Sequence, residues 1–126
     1  MTAQAARRIK GEVSYHAGQA AEAAVARHYE KAGYTLLAQR WRGTSGEIDL
    51  IFRASDQIVC VEVKKSRSVL QAASHLTPRQ IHRLIATSQE FLAGQPKGLL
   101  TELRFDVALV ESDGKIFVIE NAIGEL

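Results

Sequence analysis

The segment Ile58–Lys64 constrains the fold more than any other part of this chain. Its first four residues, Ile-Val-Cys-Val, form a continuous apolar run that is rich in β-branched side chains. Runs of this kind are typical of strands buried on both faces of a sheet, which other elements must then cover on both sides. The segment therefore predicts a layered α/β domain.

Two segments have the end signals of α-helices that could cover such a strand. Ser14 is a suitable N-cap for a helix over Tyr15–Ala32, in an alanine-rich stretch. Thr77 and Pro78 have the residue types of an N-cap and a first-turn proline for a second helix, whose amphipathic stripe stops at Gly94. We expect one helix before the central strand and one after it.

Four further segments predict the rest of the sheet. An Asp113-Gly114 tight-turn signal joins the last two as a hairpin, and residues 66–76 have the composition of a polar loop. The resulting order, αβββαββ, predicts a mixed central β-sheet flanked by helices. These four strands are Thr35–Arg40, Glu47–Arg53, Leu103–Val110 and Ile116–Asn121.

Length and composition exclude several classes of protein. With 126 residues, 46% of them hydrophobic and 24% charged, the chain suits one globular domain, which we expect over residues 14–126 after a basic N-terminal arm at 1–13. Cys60 is the only cysteine, which excludes a disulfide framework and a cysteine-based zinc site. No apolar run approaches the roughly 20 residues of a membrane span. We expect a soluble, cytoplasmic protein.

The basic residues are unevenly distributed, although the net charge is only +2. Between Val63 and Arg83 there is no acidic residue, and a second basic pair surrounds Trp41. Such clusters attract phosphate backbones. A solvated face opposite an acidic one would give the same pattern, so charge alone leaves both interpretations open. The two clusters contain Lys64, Lys65, Arg67, Arg79 and Arg83, and Arg40 and Arg42.

Charged residues also interrupt two strands where apolar ones are expected. Because side chains alternate along a strand, Glu62 and Lys64 project from the same face, about 7 Å apart. Asp49 interrupts the preceding strand, and hairpin pairing would bring it close to Glu62. Two neighbouring carboxylates repel unless one stays protonated or a cation lies between them. Magnesium, which accepts one or two carboxylates together with water and phosphate, fits that need.

Glu22 is a third candidate, since it lies on the first predicted helix among small residues that would let the helix approach the sheet. Each of these residues also has an ordinary explanation. Glu62 and Lys64 could form a plain ion pair, Asp49 could cap a backbone amide, and Glu22 could be a surface residue. The case rests on their combination, with twelve residues between Asp49 and Glu62 across a hairpin.

This Asp…Glu-x-Lys arrangement resembles the PD-(D/E)xK, or restriction-endonuclease-like, nuclease superfamily. A longer set of matches resembles the YraN family, small bacterial proteins predicted to be endonucleases and similar to archaeal Holliday-junction resolvases. The set runs from about Gly18 to Ala122, and its most specific parts are the two strand blocks. The matches are Gly18, Glu22, Gly33-Tyr34, Arg42, Gly46-Glu47-Ile48-Asp49-Leu50-Ile51, Val61-Glu62-Val63-Lys64, Arg104-Phe105-Asp106-Val107 and Asn121-Ala122.

The resemblance implies a restriction-endonuclease-like fold and a Mg²⁺ or Mn²⁺ site. Asp49, Glu62 and the Val63 carbonyl would bind the metal, with Glu22 completing the site directly or through water. Lys64 would orient or activate the attacking water and neutralise charge on the phosphate. Glu47 could be a further ligand or a partner for Arg42, and Asp106 is interpreted as structural, paired with Arg104. Residues expected to contact nucleic acid are Arg40, Arg42, Lys65, Arg67, Arg79, Gln80 and Arg83.

The function predicted from these features is metal-dependent hydrolysis of phosphodiester bonds, with DNA favoured over RNA and branched DNA as a candidate. By analogy with resolvases, we expect a homodimer. The alternative is a nucleic-acid-binding or partner-docking module that keeps the fold without turnover. A third interpretation is an interaction protein whose polar cluster is a buried salt-bridge network.

Overall fold

A five-stranded mixed sheet forms the centre of the computed structural model, which describes residues 2–66 and 76–123. Neighbouring strands are antiparallel except β3 and β4, which are parallel, so the chain must cross over between these two. The strands, in both chain and spatial order, are β1 (Thr35–Arg42), β2 (Glu47–Ala54), β3 (Gln57–Ser66), β4 (Glu102–Glu111) and β5 (Ile116–Ile119).

Two helices of the described ranges cover the two faces of this sheet. Helix α1 (Ala3–Lys31) precedes β1, and helix α2 (Pro78–Ala93) lies in the crossover between β3 and β4, followed by a 3₁₀ turn at Gly98–Leu100. The element order confirms the predicted αβββαββ arrangement of a restriction-endonuclease-like α/β fold.

Strand β3 is buried on both faces, as its sequence predicts. Val59 and Val61 pack in the core beneath α1, whereas Ile58 and Cys60 pack in the core beneath α2. All four side chains are at most 2% exposed. The alternation continues past the apolar run, so Val63 packs on the same core as Val61, and Glu62 and Lys64 alternate with them near the end of β3.

Several element boundaries differ from the sequence predictions, and two of the differences have an evident physical reason. Helix α1 begins at Ala3 rather than after Ser14, because residues 3–10 are mostly strong helix formers and nothing there breaks the helix. Strand β5 ends at Ile119 rather than Asn121, because Asn121 adopts a left-handed backbone with φ 52°. Most of the predicted loop at 66–76 lies outside the described residues.

The start of α2 matches its sequence signals closely. Thr77 Oγ1 accepts a hydrogen bond from the backbone amide of Gln80 at 3.1 Å, and Gln80 Oε1 accepts one from the backbone amide of Thr77 at 3.2 Å. This reciprocal pair is a capping box, and Pro78 occupies the first turn as predicted.

Replacing Thr77 by alanine should lower the free energy of unfolding by about 1 kcal/mol, because the Gln80 amide loses its side-chain partner. Urea unfolding followed by far-UV circular dichroism measures this loss. Ser112→Ala, at an exposed turn position, is the matched control and should change stability by less than about 0.5 kcal/mol. An equal loss in both variants would contradict the capping role.

A buried polar network ties α1 to β4 on the face away from α2. Asp106 is fully buried and accepts hydrogen bonds from the Tyr29 hydroxyl at 2.7 Å and from two Arg104 nitrogens at 2.9 Å. The Asn121 amide donates a further bond at 3.0 Å, and Arg104 also donates to the Tyr34 hydroxyl at 2.8 Å. The predicted pairing of Asp106 with Arg104 is therefore confirmed.

Candidate metal and nucleic-acid site

Strands β2 and β3 stop pairing where their charged residues begin. The last paired residues on this side are Leu50 and Val61. Beyond them, Asp49 Oδ2 accepts a hydrogen bond from the Val63 amide at 2.8 Å. Because both backbone polar groups of a strand residue face the same neighbouring strand, the Val63 carbonyl is directed toward β2 as well. The strand ends thus present a carboxylate and a carbonyl to one gap.

A distortion in β1 and β2 directs Asp49 into this gap. Strict alternation would put Ile48 and Leu50 on one face, but Ile48 packs with the core beneath α2 and Leu50 with the core beneath α1. Arg40 lies opposite, and its backbone is left-handed with φ 48°. A non-glycine residue in this region costs on the order of 1 kcal/mol or more and is over-represented at functional sites.

Glu62 lies beside Asp49 in the gap, as the hairpin register predicts. Burial, followed by the hydrogen bond and negative charge of Asp49, raises the pKa of the Glu62 carboxyl to about 9, although the Lys64 ammonium opposes this shift. Glu62 Oε1 is buried and has no hydrogen-bond partner among the described residues. Such an orphaned oxygen is costly unless a proton or a cation satisfies it.

Glu22 approaches the same gap from α1. Its carboxylate accepts a hydrogen bond from Arg40 Nε at 3.0 Å, and its side chain is 19% exposed. Burial raises the pKa of Glu22, although the hydrogen bond from Arg40 lowers it. The negative charges of Asp49 and Glu47 raise it further. Glu22 is therefore close enough to Asp49 and Glu47 for their charges to act on it, and its own carboxylate is paired with the Arg40 guanidinium.

These residues fit a small oxygen-only metal site. Within ranges 2–66 and 76–123, no group of three or more His, Cys, Asp or Glu side chains is arranged to hold a metal ion. Asp49, Glu62 and the Val63 carbonyl nevertheless supply two carboxylates and one carbonyl, and magnesium commonly takes one or two carboxylates and completes its shell with water and phosphate. The orphaned Glu62 oxygen is the observation in favour of a cation here.

Five of the six basic residues predicted to contact nucleic acid fall into three groups. Lys65, Arg79 and Arg83 are exposed, Arg40 is bound to Glu22, and Arg67 lies outside the described residues.

Three other residues near the basic cluster make contacts within the protein. Arg42 Nη2 lies 3.2 Å from Glu47 Oε2, which gives Glu47 a partner of the kind proposed from the sequence. Gln80 serves the capping box of α2. Trp41 packs edge-on against Phe91 with ring centroids 5.4 Å apart, which favours a packing role over stacking on a base.

Glu90 is a residue that sequence reasoning missed. Its carboxylate accepts hydrogen bonds from the Thr44 and Ser45 amides, at 2.7 and 3.1 Å, and from both of their hydroxyl groups. These bonds hold the pKa of Glu90 below its usual range. The sequence contains no signal for this contact, because the partners are 45 and 46 positions apart and Glu90 looks like any acidic residue of an amphipathic helix.

Comparison with known proteins gives consistent matches. A family model described as uncharacterised protein family UPF0102, the YraN family, matches residues 21–110. A UPF0102 protein of Roseobacter denitrificans is 54% identical over 115 residues, covering 91% of this chain and 89% of its own length. One from Cereibacter sphaeroides strain KD131 is 55% identical, covering 90% of this chain and 97% of its own.

Neither helix of the described ranges combines the length and apolar character of a membrane span.

Proposed function

The chain belongs to the UPF0102 family, and we propose that it is a metal-dependent nuclease that hydrolyses phosphodiester bonds. The observation that carries the proposal is the buried Glu62 carboxyl, which lies beside Asp49 and has an oxygen with no partner in the described structure. A network built only for stability would pair that oxygen, since an unsatisfied buried polar atom costs about 1–3 kcal/mol.

Each residue of the gap has a distinct role in this proposal. Asp49, Glu62 and the Val63 carbonyl hold a divalent cation, and Glu22 supports it from α1. When bound, the cation polarises the phosphate and makes its water ligand more acidic. The positive charge of Lys64 acts on Glu62 and lowers its pKa. In this proposal the Lys64 ammonium lies beside the scissile phosphate. A fixed positive charge at this position stabilises the negative charge that develops during hydrolysis.

The substrate in this proposal is DNA, with branched DNA as the first candidate. Exposed cations of β3 and α2 are available to a substrate, since Lys65 directly follows Lys64 in β3 and Arg83 lies against Gly46, just before β2. Such cations bind phosphate backbones without reading sequence. The relevant residues are Lys65, Arg79 and Arg83. A DNA substrate agrees with the cytoplasmic location expected from the sequence.

The proposal includes a homodimer, because a four-way junction offers two equivalent strands to a symmetric enzyme. Strand β5 is an edge strand of the described sheet. Phe117 and Ile119 on this strand are 44% and 38% exposed, so this edge is a suitable place for contact between two copies. Sedimentation of the purified protein tests the oligomeric state.

The decisive experiment is a cleavage assay with Mg²⁺ or Mn²⁺ on labelled single-stranded, duplex, flapped and four-way-junction DNA, with RNA in parallel. The Asp49→Ala, Glu62→Ala and Lys64→Ala variants are assayed beside the wild type. We expect cleavage that requires metal and is absent from all three variants.

Two results would contradict this proposal. Binding of nucleic acid without cleavage under either metal would support the alternative, a binding module with a nuclease-like fold. Cleavage that persists in the three variants would come from a contaminant and would remove the proposed site. Asp113→Ala, an exposed carboxylate in the β4–β5 turn, controls for preparation and should cleave like the wild type.

A further inference from the structure

The loop between β1 and β2, residues 43–46, is bound to α2 through the side chain of Glu90. Its carboxylate accepts four hydrogen bonds from the amides and hydroxyls of Thr44 and Ser45. The loop is itself closed by a bond from the Gly43 amide to the Gly46 carbonyl at 2.8 Å. A single side chain of α2 thus satisfies most of the polar groups at the tip of the loop.

The two glycines of the loop make this close approach possible. A Cβ atom at Gly43 would overlap Glu90 Oε2 and would lie 3.0 Å from the Trp41 ring. A Cβ atom at Gly46 would lie 2.9 Å from the Arg83 side chain and 3.1 Å from Thr87 Oγ1. Gly43 leaves open the space that the Glu90 carboxylate occupies, so a side chain there would have to displace the carboxylate or the Trp41 ring.

The same junction brings together two exposed basic residues. Arg42 directly precedes the loop, and its side chain is 80% exposed. Arg83 of α2 is exposed and crosses over Gly46 at the other end of the loop. One cation therefore belongs to the sheet and the other to the helix, and the Glu90 hydrogen bonds join the loop between them to α2.

We propose that Glu90 is a positioning residue, which fixes the 43–46 loop on α2 so that Arg42 and Arg83 form one surface for a nucleic-acid backbone. The inference rests on the proposed function, because it assigns these two cations to the same substrate. It goes beyond that function because it gives Glu90 a favourable role in binding nucleic acid. The negative charge of Glu90 alone would repel a phosphate backbone.

The sign of the effect separates this role from simple charge repulsion. Removing a negative charge from a protein that binds nucleic acid normally strengthens binding. If Glu90 positions the junction, Glu90→Ala should instead weaken binding about 10-fold and make the salt dependence shallower by about one phosphate contact. Glu90→Gln removes the same charge but retains a carbonyl acceptor, so its affinity should fall between those of alanine and the wild type.

Binding is measured by fluorescence anisotropy of a labelled four-way junction in EDTA, so that cleavage does not contribute. Glu30→Ala, which removes an exposed carboxylate of α1, is the matched control and should bind as well as the wild type or slightly better. Gly43→Ala disturbs the junction from the loop side and should weaken binding as Glu90→Ala does. In the Glu90→Ala background the same glycine substitution should have a smaller effect.

Trp41, the only tryptophan, reports on the junction independently of nucleic acid because it packs against Phe91. Its emission should shift to the red in Glu90→Ala, while the thermal unfolding midpoint stays within a few degrees of the wild type. This combination distinguishes a displaced loop from an unfolded protein.

The outcomes separate the two proposals. A wild-type protein that binds no nucleic acid overturns the proposed function, and the positioning role falls with it. A wild type that binds, with Glu90→Ala binding equally or more tightly, overturns the positioning role alone. Alanine and glutamine variants that bind more tightly than the wild type by the same factor would also overturn it, because the lost charge would then explain the whole effect.

Discussion

The Glu62→Gln variant is expected to be more stable than the wild-type protein at pH 8 without divalent metal, and to have lost nucleic-acid cleavage. Burial and the adjacent Asp49 raise the pKa of Glu62 from 4.5 to about 9. The stability contributed by a carboxyl with a raised pKa in the folded state is complete below pH 4.5 and is lost as the pH rises through about 9. Glutamine has no carboxyl proton to lose, so the free energy of unfolding of the Glu62→Gln variant does not fall with pH in this way.

The difference should be small at pH 5 and on the order of 2 kcal/mol at pH 8, measured by urea unfolding in EDTA. Adding Mg²⁺ or Mn²⁺ should stabilise the wild type more than the variant, because metal binds only the folded site. Cleavage should fall on the order of 10³-fold, since a group that positions transition-state charge is removed. The thermodynamic and catalytic effects therefore have opposite signs.

Glu102→Gln, an exposed residue at the start of β4, is the matched control and should leave both quantities unchanged. If Glu62→Gln and the wild type were equally stable at pH 8, and metal stabilised both equally, Glu62 would not be a metal ligand. The measurement tests the site without relying on a chosen nucleic-acid substrate.

The Asp106→Asn variant is expected to lose about 3 kcal/mol of stability, because it leaves the Arg104 charge without its buried partner. Asp106 is fully buried and accepts four hydrogen bonds, two of them from Arg104. An amide at this position has one acceptor oxygen instead of two. Its NH₂ group would face neighbours that are themselves hydrogen-bond donors. Tyr29→Phe removes one bond to the carboxylate and should cost about 1.5 kcal/mol.

Urea unfolding at pH 7 measures both losses. Asp113→Asn is the matched control, since Asp113 lies 3.8 Å from Lys115 with its side chain 52% exposed, and it should cost at most about 0.5 kcal/mol. A similar small loss for Asp106→Asn would show that the network contributes little to stability. It would also weaken the interpretation of Asp106 as structural.

Local signals predicted part of the fold and part of the candidate site. The N-cap at Thr77 and the first-turn Pro78 depend on neighbouring residues, so they could be predicted and are confirmed. The approach of Asp49 to Glu62 also followed from the sequence, because a short turn fixes the register of a hairpin. The end of β5 could not be predicted, because Asn121 leaves the strand to donate its amide to Asp106, a partner 15 residues away.

The sequence by itself determined which charged side chains lie at the paired ends of β2 and β3, because alternation along a strand and pairing across a tight turn are local rules. Only the tertiary structure decided how those side chains are used. The pairing of Glu22 with Arg40, the break in alternation at Asp49 and the contact of Glu90 with the 43–46 loop depend on where α1 and α2 pack on the sheet. That packing is set by the whole buried surface of each helix, which no short stretch of sequence specifies.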